Sequence, residues 1–315
     1  MTGVSSHQPV LMRETLAGLV VRRNGCYVDG TYGRGGHSAG ILAQIGEQGR
    51  LLALDKDAEA VAHGRERFGG DPRFTIVHSG FEALRDHVGP WLGDRELCGV
   101  LLDLGVSSPQ LESPARGFSF AKDGPLDMRM NPEEGSSAAE WLANVSAAEL
   151  RRVLQQYGEE PRARQLTAVI LKERAREPIT TTRQLAAIIE RHSPQRGLRI
   201  HPATRVFQAL RIRINAELEA LAAGIQQSLE LLAPGGRLCV ISFHSLEDRI
   251  VKRFIASESR GDPVYAGLPL VPAAALPRLK KIGRLIRPAA AECAANPRAR
   301  SARLRVAERL EVPAA

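Results

Sequence analysis

The stretch that decides the fold runs from residue 26 to residue 55, where two apolar runs each end in an aspartate. CYVD (26–29) is short and β-prone, and RLLALD (50–55) is a second run of the same kind. Between them lie the glycine-rich string GTYGRGGH (30–37) and a segment with helical spacing (38–45). The order strand, glycine-rich loop, helix, strand is typical of a βαβ unit, which predicts two parallel strands in one sheet.

The same alternation continues on both sides of this unit. A helix is predicted over Ala58 to Phe68, and further strands over Phe74 to His78, Gly99 to Leu102 and Arg237 to Ser242. Ala302 to Leu310 alternates apolar and polar residues, as a half-exposed antiparallel strand would. We therefore predict an α/β fold whose strand-end aspartates gather at the carboxyl edge of one sheet, where a ligand is expected.

The alternation stops between the fourth and fifth strands. Residues 110–131 are rich in Gly, Pro, Ser and Asp without a period, and helical spacing follows over 138–142, 147–157, 162–176 and 182–190. One long helix is predicted from Pro202 to Leu232. The simplest interpretation is a helical domain, residues 111–205, inserted into a discontinuous core of residues 1–110 and 206–315.

Composition excludes several classes of protein. The 315 residues are 43% hydrophobic and 25% charged, which is ordinary for a globular protein and argues against a disordered or fibrous chain. No apolar run approaches the roughly 18 to 20 residues that span a bilayer, and the first residues lack the features of a signal peptide. We expect a cytosolic protein with no membrane partner. The four cysteines lie far apart, so neither a metal site nor a disulfide framework is predicted.

Positive charge is concentrated in two segments. Residues 151–213 hold 14 Lys and Arg against 5 Asp and Glu, and residues 278–309 hold 10 against 2. These two segments carry net charges of +9 and +8, whereas the whole chain carries +8, so the remainder of the chain carries −9. This distribution suits a surface that follows nucleic-acid phosphates, although solvated helix faces would explain it equally well.

The glycine-rich string and the next strand end together indicate an adenosine-containing cofactor. Asp55 stands 20 residues beyond Gly35, where a carboxylate can accept hydrogen bonds from ribose hydroxyls. His37 closes the loop, and Phe81 follows the third strand, where its ring could cover an adenine. The G-x-G-x-x-G order of dinucleotide enzymes is absent, and a purely structural turn remains the alternative.

Two other strand ends carry candidate groups. Asp103, in LLDLGVSSPQ (101–110), stands where reacting groups meet in such sheets, or it caps the next helix. His244 and Glu247, in SFHSLED (242–248), could serve a substrate or cap a helix, and the residues alone do not decide between these roles.

The chain resembles the bacterial 16S rRNA cytosine methyltransferase family, which methylates an exocyclic 4-amino group with S-adenosylmethionine. The matching strings extend over nearly the whole length and include YVDGTYGRGGHS (27–38), RGFSFAKDGPLDMRM (116–130), PGGRLCVISFHSLEDRIVKRF (234–254) and NPRARSARLR (296–305). The resemblance implies a Rossmann-like S-adenosylmethionine methyltransferase core with an inserted helical domain, in agreement with the strand and helix pattern.

Individual roles follow from the resemblance, motif by motif. It implies that the cofactor is contacted by Gly35, Gly36, His37, Asp55, Phe81, Asp103 and Gln110. Asn131 departs from the aspartate that the family usually carries after the DMRM string, which argues against an essential carboxylate there. Residues 192–200 match poorly and receive no assignment.

The expected reaction is methylation of a cytidine 4-amino group in 16S rRNA of the small ribosomal subunit. Asp103 is the candidate catalytic residue, as an acceptor that orients the amine. Phosphate contacts are expected from five arginines: Arg205, Arg211, Arg298, Arg300 and Arg303. A nicotinamide-dependent oxidoreductase and a non-catalytic RNA-binding assembly factor are the alternatives.

Overall fold

The computed structural model describes residues 9–193, 201–265 and 271–311, and it divides the chain into two compact units. The core unit comprises Met1–Gly105 and Leu218–Ala315, and the helical unit comprises Val106–Glu217. The helical unit therefore begins earlier and ends later than the interval 111–205. No described helix is long and apolar enough to cross a membrane.

A seven-stranded sheet forms the centre of the core unit. Its strands are β1 (Cys26–Asp29), β2 (Arg50–Asp55), β3 (Phe74–His78), β4 (Leu97–Asp103), β5 (Leu232–Ser242), β6 (Leu279–Ile286) and β7 (Arg303–Arg309). Their order in the sheet is β3-β2-β1-β4-β5-β7-β6. The first five strands in this order are parallel, and β7 and β6 add antiparallel pairs at one edge.

Successive apolar residues of one strand point to opposite faces of this sheet. Leu52 and Leu54 belong to one buried cluster, whereas Leu51 and Ala53 belong to another. A parallel sheet covered on both faces explains why its strands read as continuous apolar runs. The helices of the core unit are α1 (Met12–Leu19), α2 (Gly36–Leu42), α3 (Ala58–Phe68), α4 (Leu84–Leu92), α11 (Glu217–Leu231), α12 (Ser245–Glu258) and α13 (Ala290–Ala295).

The helical unit has its own hydrophobic core, to which Leu150, Leu154 and Leu210 contribute fully buried side chains. Polar caps define several helix starts: Ser137 and Glu140 form a capping box, as do Thr181 and Gln184. Its helices are α5 (Ser108–Glu112), α6 (Ala138–Asn144), α7 (Ala147–Gln156), α8 (Ala163–Arg176), α9 (Thr182–Arg191) and α10 (Ala203–Asn215).

The predicted long helix from Pro202 to Leu232 is wrong. The structure has two helices there, α10 and α11, because Ala216 adopts a left-handed conformation with φ of 48°. That conformation costs a residue with a Cβ about 1 to 2 kcal/mol, and no glycine marks the break in the sequence.

Two strands also differ from the prediction. Strand β5 begins at Leu232, five positions before the predicted start at Arg237, and strand β6 was not predicted.

Strand β7 is fixed to helix α12 by one carboxylate. The guanidinium of Arg305 donates to both oxygens of Asp248, at 2.7 and 3.2 Å, and Arg303 donates to Oδ2 at 3.0 Å. Burial acts to raise the pKa of Asp248, but the bonds and charges of Arg305 and Arg303 outweigh it and hold the pKa below its usual value. The ionised carboxylate therefore stabilises the fold.

Asp248→Asn should lower the free energy of unfolding by about 2 to 4 kcal/mol at pH 7, because two arginines lose a buried counter-charge. A depressed folded pKa contributes stability above the unfolded value of about 3.9, and this contribution is lost as the pH falls through the folded value. The difference from wild type in urea denaturation should therefore shrink below about pH 4. Asp94→Asn, at an exposed carboxylate, is the control and should change little. An equally large loss in both variants would contradict this account.

Candidate functional site

Three aspartates lie at the carboxyl ends of adjacent parallel strands. Strand β1 pairs with β2 on one side and with β4 on the other, so Asp29, Asp55 and Asp103 come to the same edge of the sheet. This is the edge at which open α/β sheets bind ligands.

The loop after β1 needs glycine for both conformation and space. Gly33 and Gly35 have φ values of 55° and 67°, which favour a residue without a Cβ. A Cβ on Gly35 would lie 2.5 Å from the ring of Tyr32, and one on Gly36 would lie 2.3 Å from Pro9. The Tyr32 hydroxyl in turn forms a 2.9 Å hydrogen bond with Nδ1 of His63. The loop is thus held closely against side chains of the core unit.

Asp55 is oriented by two backbone amides. Gly33 N–H donates to Oδ2 at 2.7 Å, and Asp57 N–H donates to Oδ1 at 2.9 Å. Burial raises the pKa of Asp55 to about 6, although both amides act in the opposite direction. Each oxygen of a carboxylate has two lone pairs, so both can accept a further donor.

Asp29 has a structural role that the sequence did not reveal. Its side chain is buried, accepts a 2.7 Å hydrogen bond from the Ser38 hydroxyl, and accepts another from Thr31 N–H at 3.2 Å. Burial raises the pKa of Asp29 above its usual value. The carboxyl group therefore connects the start of the glycine-rich loop, at Thr31, to Ser38 at its end.

His37 and Asp103 face each other at this edge. His37 Nε2 lies 3.5 Å from Asp103 Oδ2, and the side chains are 6% and 24% exposed. Burial acts to lower the pKa of His37, but the Asp103 carboxylate outweighs it and raises the pKa. Within the described part of the chain, both His37 ring nitrogens and Asp103 Oδ1 are buried and have no hydrogen-bond partner. A bound polar molecule could satisfy these atoms.

Asp103 is not the cap of the next helix, because Ser107 occupies that position at the start of α5. Its backbone N–H donates instead to the Thr31 hydroxyl at 2.6 Å, which ties the end of β4 to the glycine-rich loop.

The other two residues implied as cofactor contacts have different surroundings. Phe81 is half-buried, and the Cβ positions of Gly30 and Gly224 would lie 3.0 and 2.5 Å from its side chain, so it packs beside the end of β1. Gln110 belongs to the helical unit, where its Oε1 accepts from Ser107 N–H at 2.9 Å and completes the capping box of α5.

His244 and Glu247 form the capping box of α12. Glu247 Oε2 accepts from Phe243 N–H at 2.8 Å and from His244 N–H at 3.2 Å. The capping interpretation is thus confirmed for both residues. His244 Nε2 lies 3.1 Å from Glu247 Oε1 and is buried, without a hydrogen-bond partner among the described residues.

The five candidate phosphate contacts differ in exposure and in their contacts with carboxylates. Arg298 and Arg300 are exposed, and Arg205 is half-buried on α10. In contrast, Arg211 makes two 2.8 Å hydrogen bonds to the carboxylate of Glu217, and Arg303 is bound to Asp248. Phosphate would have to compete with a carboxylate for these last two arginines.

The chain is similar to one protein family and to curated proteins along almost its whole length. Residues 4–310 match the model of the MraW methylase family. Ribosomal RNA small subunit methyltransferase H of Coxiella burnetii is 52% identical over 307 residues, covering 98% of this chain and all of the relative. The protein of the same name from Nitrosococcus oceani is 53% identical over 309 residues, covering 97% of this chain and 98% of the relative.

A crystal structure of an rRNA methylase from Streptococcus thermophilus aligns over 99% of each chain at 13% identity with a TM-score of 0.42, a likeness that carries no functional information. The parallel strands of the sheet confirm the predicted α/β fold class. The family match and the curated relatives confirm the predicted enzyme class, an S-adenosylmethionine-dependent methyltransferase. With more than half of the aligned positions identical to two relatives over almost the full length, the chain belongs to the MraW methylase family.

Proposed function

We propose that this protein transfers the methyl group of S-adenosylmethionine to the exocyclic 4-amino group of a specific cytidine in 16S rRNA of the small ribosomal subunit. The observation that carries the proposal is the set of partly unsatisfied polar groups at the carboxyl edge of β1, β2 and β4 in a methylase-family chain. The two curated relatives are named as methyltransferases of small-subunit ribosomal RNA, which supports the substrate class.

The residues at this edge fit S-adenosylmethionine. Asp55 is held by two amides and keeps lone pairs for ribose hydroxyls, while His37 and Asp103 offer buried polar atoms for the amino-acid end. Phe81 offers an apolar ring for the adenine. We assign Gly35 and Gly36 to the same site through their backbone N–H groups.

The protein must above all improve a weak nucleophile. S-adenosylmethionine, when bound, supplies an electrophilic methyl group on a sulfonium, but the lone pair of a cytosine 4-amino group is delocalised into the ring. A carboxylate that accepts a hydrogen bond from the amino group favours a pyramidal nitrogen whose lone pair is available. Asp103, with its unpartnered Oδ1 at the end of β4, is the group we assign to this role.

RNA is held by cations of both units in this proposal. Arg205 in the helical unit and Arg298 and Arg300 in the core unit contact phosphates. Arg211 and Arg303 contact phosphates only if each of them binds a phosphate and its carboxylate partner at the same time. Only 14 of the 315 residues are aromatic, 8 Phe, 4 Tyr and 2 Trp, so a base-stacking platform is disfavoured. The target cytidine is reached as a flipped or single-stranded base.

The two alternative functions are not favoured. Membership of a methylase family favours methyl transfer over hydride transfer to a nicotinamide, and it favours an enzyme over a passive assembly factor. We infer a cytoplasmic location, because the proposed substrate is a ribosomal subunit.

The direct experiment incubates the full-length protein with methyl-labelled S-adenosylmethionine and small ribosomal subunits from cells that lack this gene. We expect one methyl group per subunit, recovered as N4-methylated cytidine after nuclease digestion. Bound subunits without transfer would favour the assembly-factor alternative, and calorimetric binding of NAD instead of S-adenosylmethionine would favour the oxidoreductase.

Asp55→Asn should weaken S-adenosylmethionine binding by roughly 10-fold to 150-fold at pH 8, because the ribose loses a charged acceptor, a loss of about 1.5 to 3 kcal/mol. The pKa of Asp55 is raised to about 6, so wild-type affinity should also decline as the pH falls through about 6 and the carboxylate gains a proton. Calorimetry from pH 5 to pH 8 should show that decline in wild type and in the control Asp86→Asn, but not in Asp55→Asn. Equal pH dependence in all three proteins would remove Asp55 from the site.

Asp103→Asn should slow single-turnover methyl transfer by about 100-fold or more, the order expected for the loss of one preorganised polar contact. The change keeps the shape and removes the charge, so binding of ribosomal subunits should stay within about twofold. Full recovery of the rate at saturating S-adenosylmethionine would move Asp103 from the catalytic role to a purely cofactor-binding one.

Charge reversal at Arg298 and Arg300 should flatten the dependence of subunit affinity on salt, because each lost phosphate contact removes about 0.7 to 0.9 from the log-log slope. Cofactor affinity should change little with salt. The control is charge reversal at Arg50 and Arg65, two exposed arginines on β2 and α3. Identical slopes for wild type and the Arg298 and Arg300 variant would place this segment outside the interface.

A further inference from the structure

The basic segment 278–309 separates into two groups once its ion pairs are known. In the part of the chain that the structure describes, three arginines of the segment are bound to carboxylates: Arg278 to Glu258 at 2.7 Å, and Arg303 and Arg305 to Asp248. These three arginines stabilise the antiparallel edge of the core unit, so the positive charge available to a partner lies elsewhere in the segment.

Four cations of the segment are exposed and lie on or directly after β6: Lys280, Lys281, Arg284 and Arg287. We call them the β6 cation row. In the described parts of the chain none of the four makes an ion pair, and residues 263–291 contain no Asp or Glu at all. Lys280 stands opposite Glu308 in the strand register, but that carboxylate is bound to Arg237 at 2.6 Å.

Strand β6 lies at the edge of the sheet, and among the described residues it pairs only with β7. Successive side chains of a strand point to opposite faces, so Lys280 and Lys281 extend to the two faces of this edge strand. A strand rises about 3.3 Å per residue, so Lys280 and Arg284 span on the order of 10 to 13 Å along this edge.

A bulge sets the place of Arg284 within the row. Ile282 pairs with Val306 and Ile286 with Leu304, so three residues of β6 stand opposite the single residue Arg305. Gly283 provides the required left-handed conformation with φ of 63°. Arg284 is the middle residue of the three and is exposed, while Ile282 and Ile286 pack against the core.

We propose that the β6 cation row binds backbone phosphates of the ribosomal RNA substrate, as an interaction surface separate from the arginines assigned above. The inference rests on the proposed function for the identity of the partner. A group of exposed cations that make no ion pair with the described residues, with no acidic residue among them, complements the phosphates of a nucleic acid. The absence of aromatic residues from β6 favours contact with the backbone over contact with bases.

Two other interpretations of the row make different predictions. Lysines on an edge strand also prevent edge-to-edge pairing of sheets, in which case their removal should cause self-association and leave RNA affinity unchanged. A basic surface can also bind anionic lipid, in which case vesicles rather than RNA should compete for it.

The test compares Lys281→Gln/Arg284→Gln with the matched control Arg50→Gln/Arg65→Gln in the full-length protein. The probe is the small ribosomal subunit from cells lacking this gene, titrated between 50 and 300 mM salt. The row variant should bind about 10-fold or more weakly at 150 mM salt, and its log-log slope should be shallower by about 1.4 to 1.8, for two lost contacts at 0.7 to 0.9 each. The control should match wild type.

Further measurements separate this proposal from its competitors. The single-turnover methylation rate of the row variant at saturating subunit should equal that of wild type, since the row only binds RNA. Unchanged subunit affinity would overturn the proposal, whether it is accompanied by self-association in sedimentation velocity or by lost binding to phosphatidylglycerol vesicles. If wild type transfers no methyl group, the proposed function fails, but a row-dependent subunit affinity would still support the surface.

Discussion

The hydrogen bond from Gly33 N–H to the Asp55 carboxylate is the contact on which the arrangement of the site depends. At 2.7 Å it joins the loop after β1 to the end of β2, and it fixes the carboxylate whose pKa burial raises to about 6. The neighbouring bond from Asp103 N–H to the Thr31 hydroxyl joins the same loop to the end of β4. Three strand ends are thereby held in one geometry, and Asp29 supports the loop through Ser38. Preorganisation of this kind is what a methyltransferase needs to align two reactants.

Much of the core unit could be predicted from the sequence because its parallel strands are buried on both faces and read as apolar runs. Strand β6 escaped prediction for the opposite reason: LKKIGRLI carries exposed cations and a glycine bulge that break the alternation. The division of the long helix at Ala216 also escaped, since the residue that adopts the left-handed conformation is neither glycine nor asparagine. Local composition does not predict secondary structure where tertiary contacts determine the backbone conformation.

Among the site residues, the strand-end aspartates and the glycine-rich loop could be predicted from the sequence because they belong to short motifs. The carboxylate partner of Arg303 and Arg305 could not be predicted. Asp248 lies more than fifty positions before Arg303 and Arg305, and no spacing rule connects them. Consequently the sequence could show that segment 278–309 is basic, but only the structure distinguishes cations that hold the fold together from cations that face solvent on β6.

We propose that Asp103, at the end of β4, acts on a cytidine amine in 16S rRNA. The most direct measurement is nucleoside-resolved mass spectrometry of 16S rRNA from cells lacking this gene, complemented with wild type or with Asp103→Asn. We expect deletion of the gene to remove the mass of one methyl group from one cytidine-containing fragment. Complementation with wild type should restore that methyl group on the 4-amino nitrogen. Complementation with Asp103→Asn should restore it to a much smaller extent. An identical methylation pattern in deleted and complemented cells would contradict it.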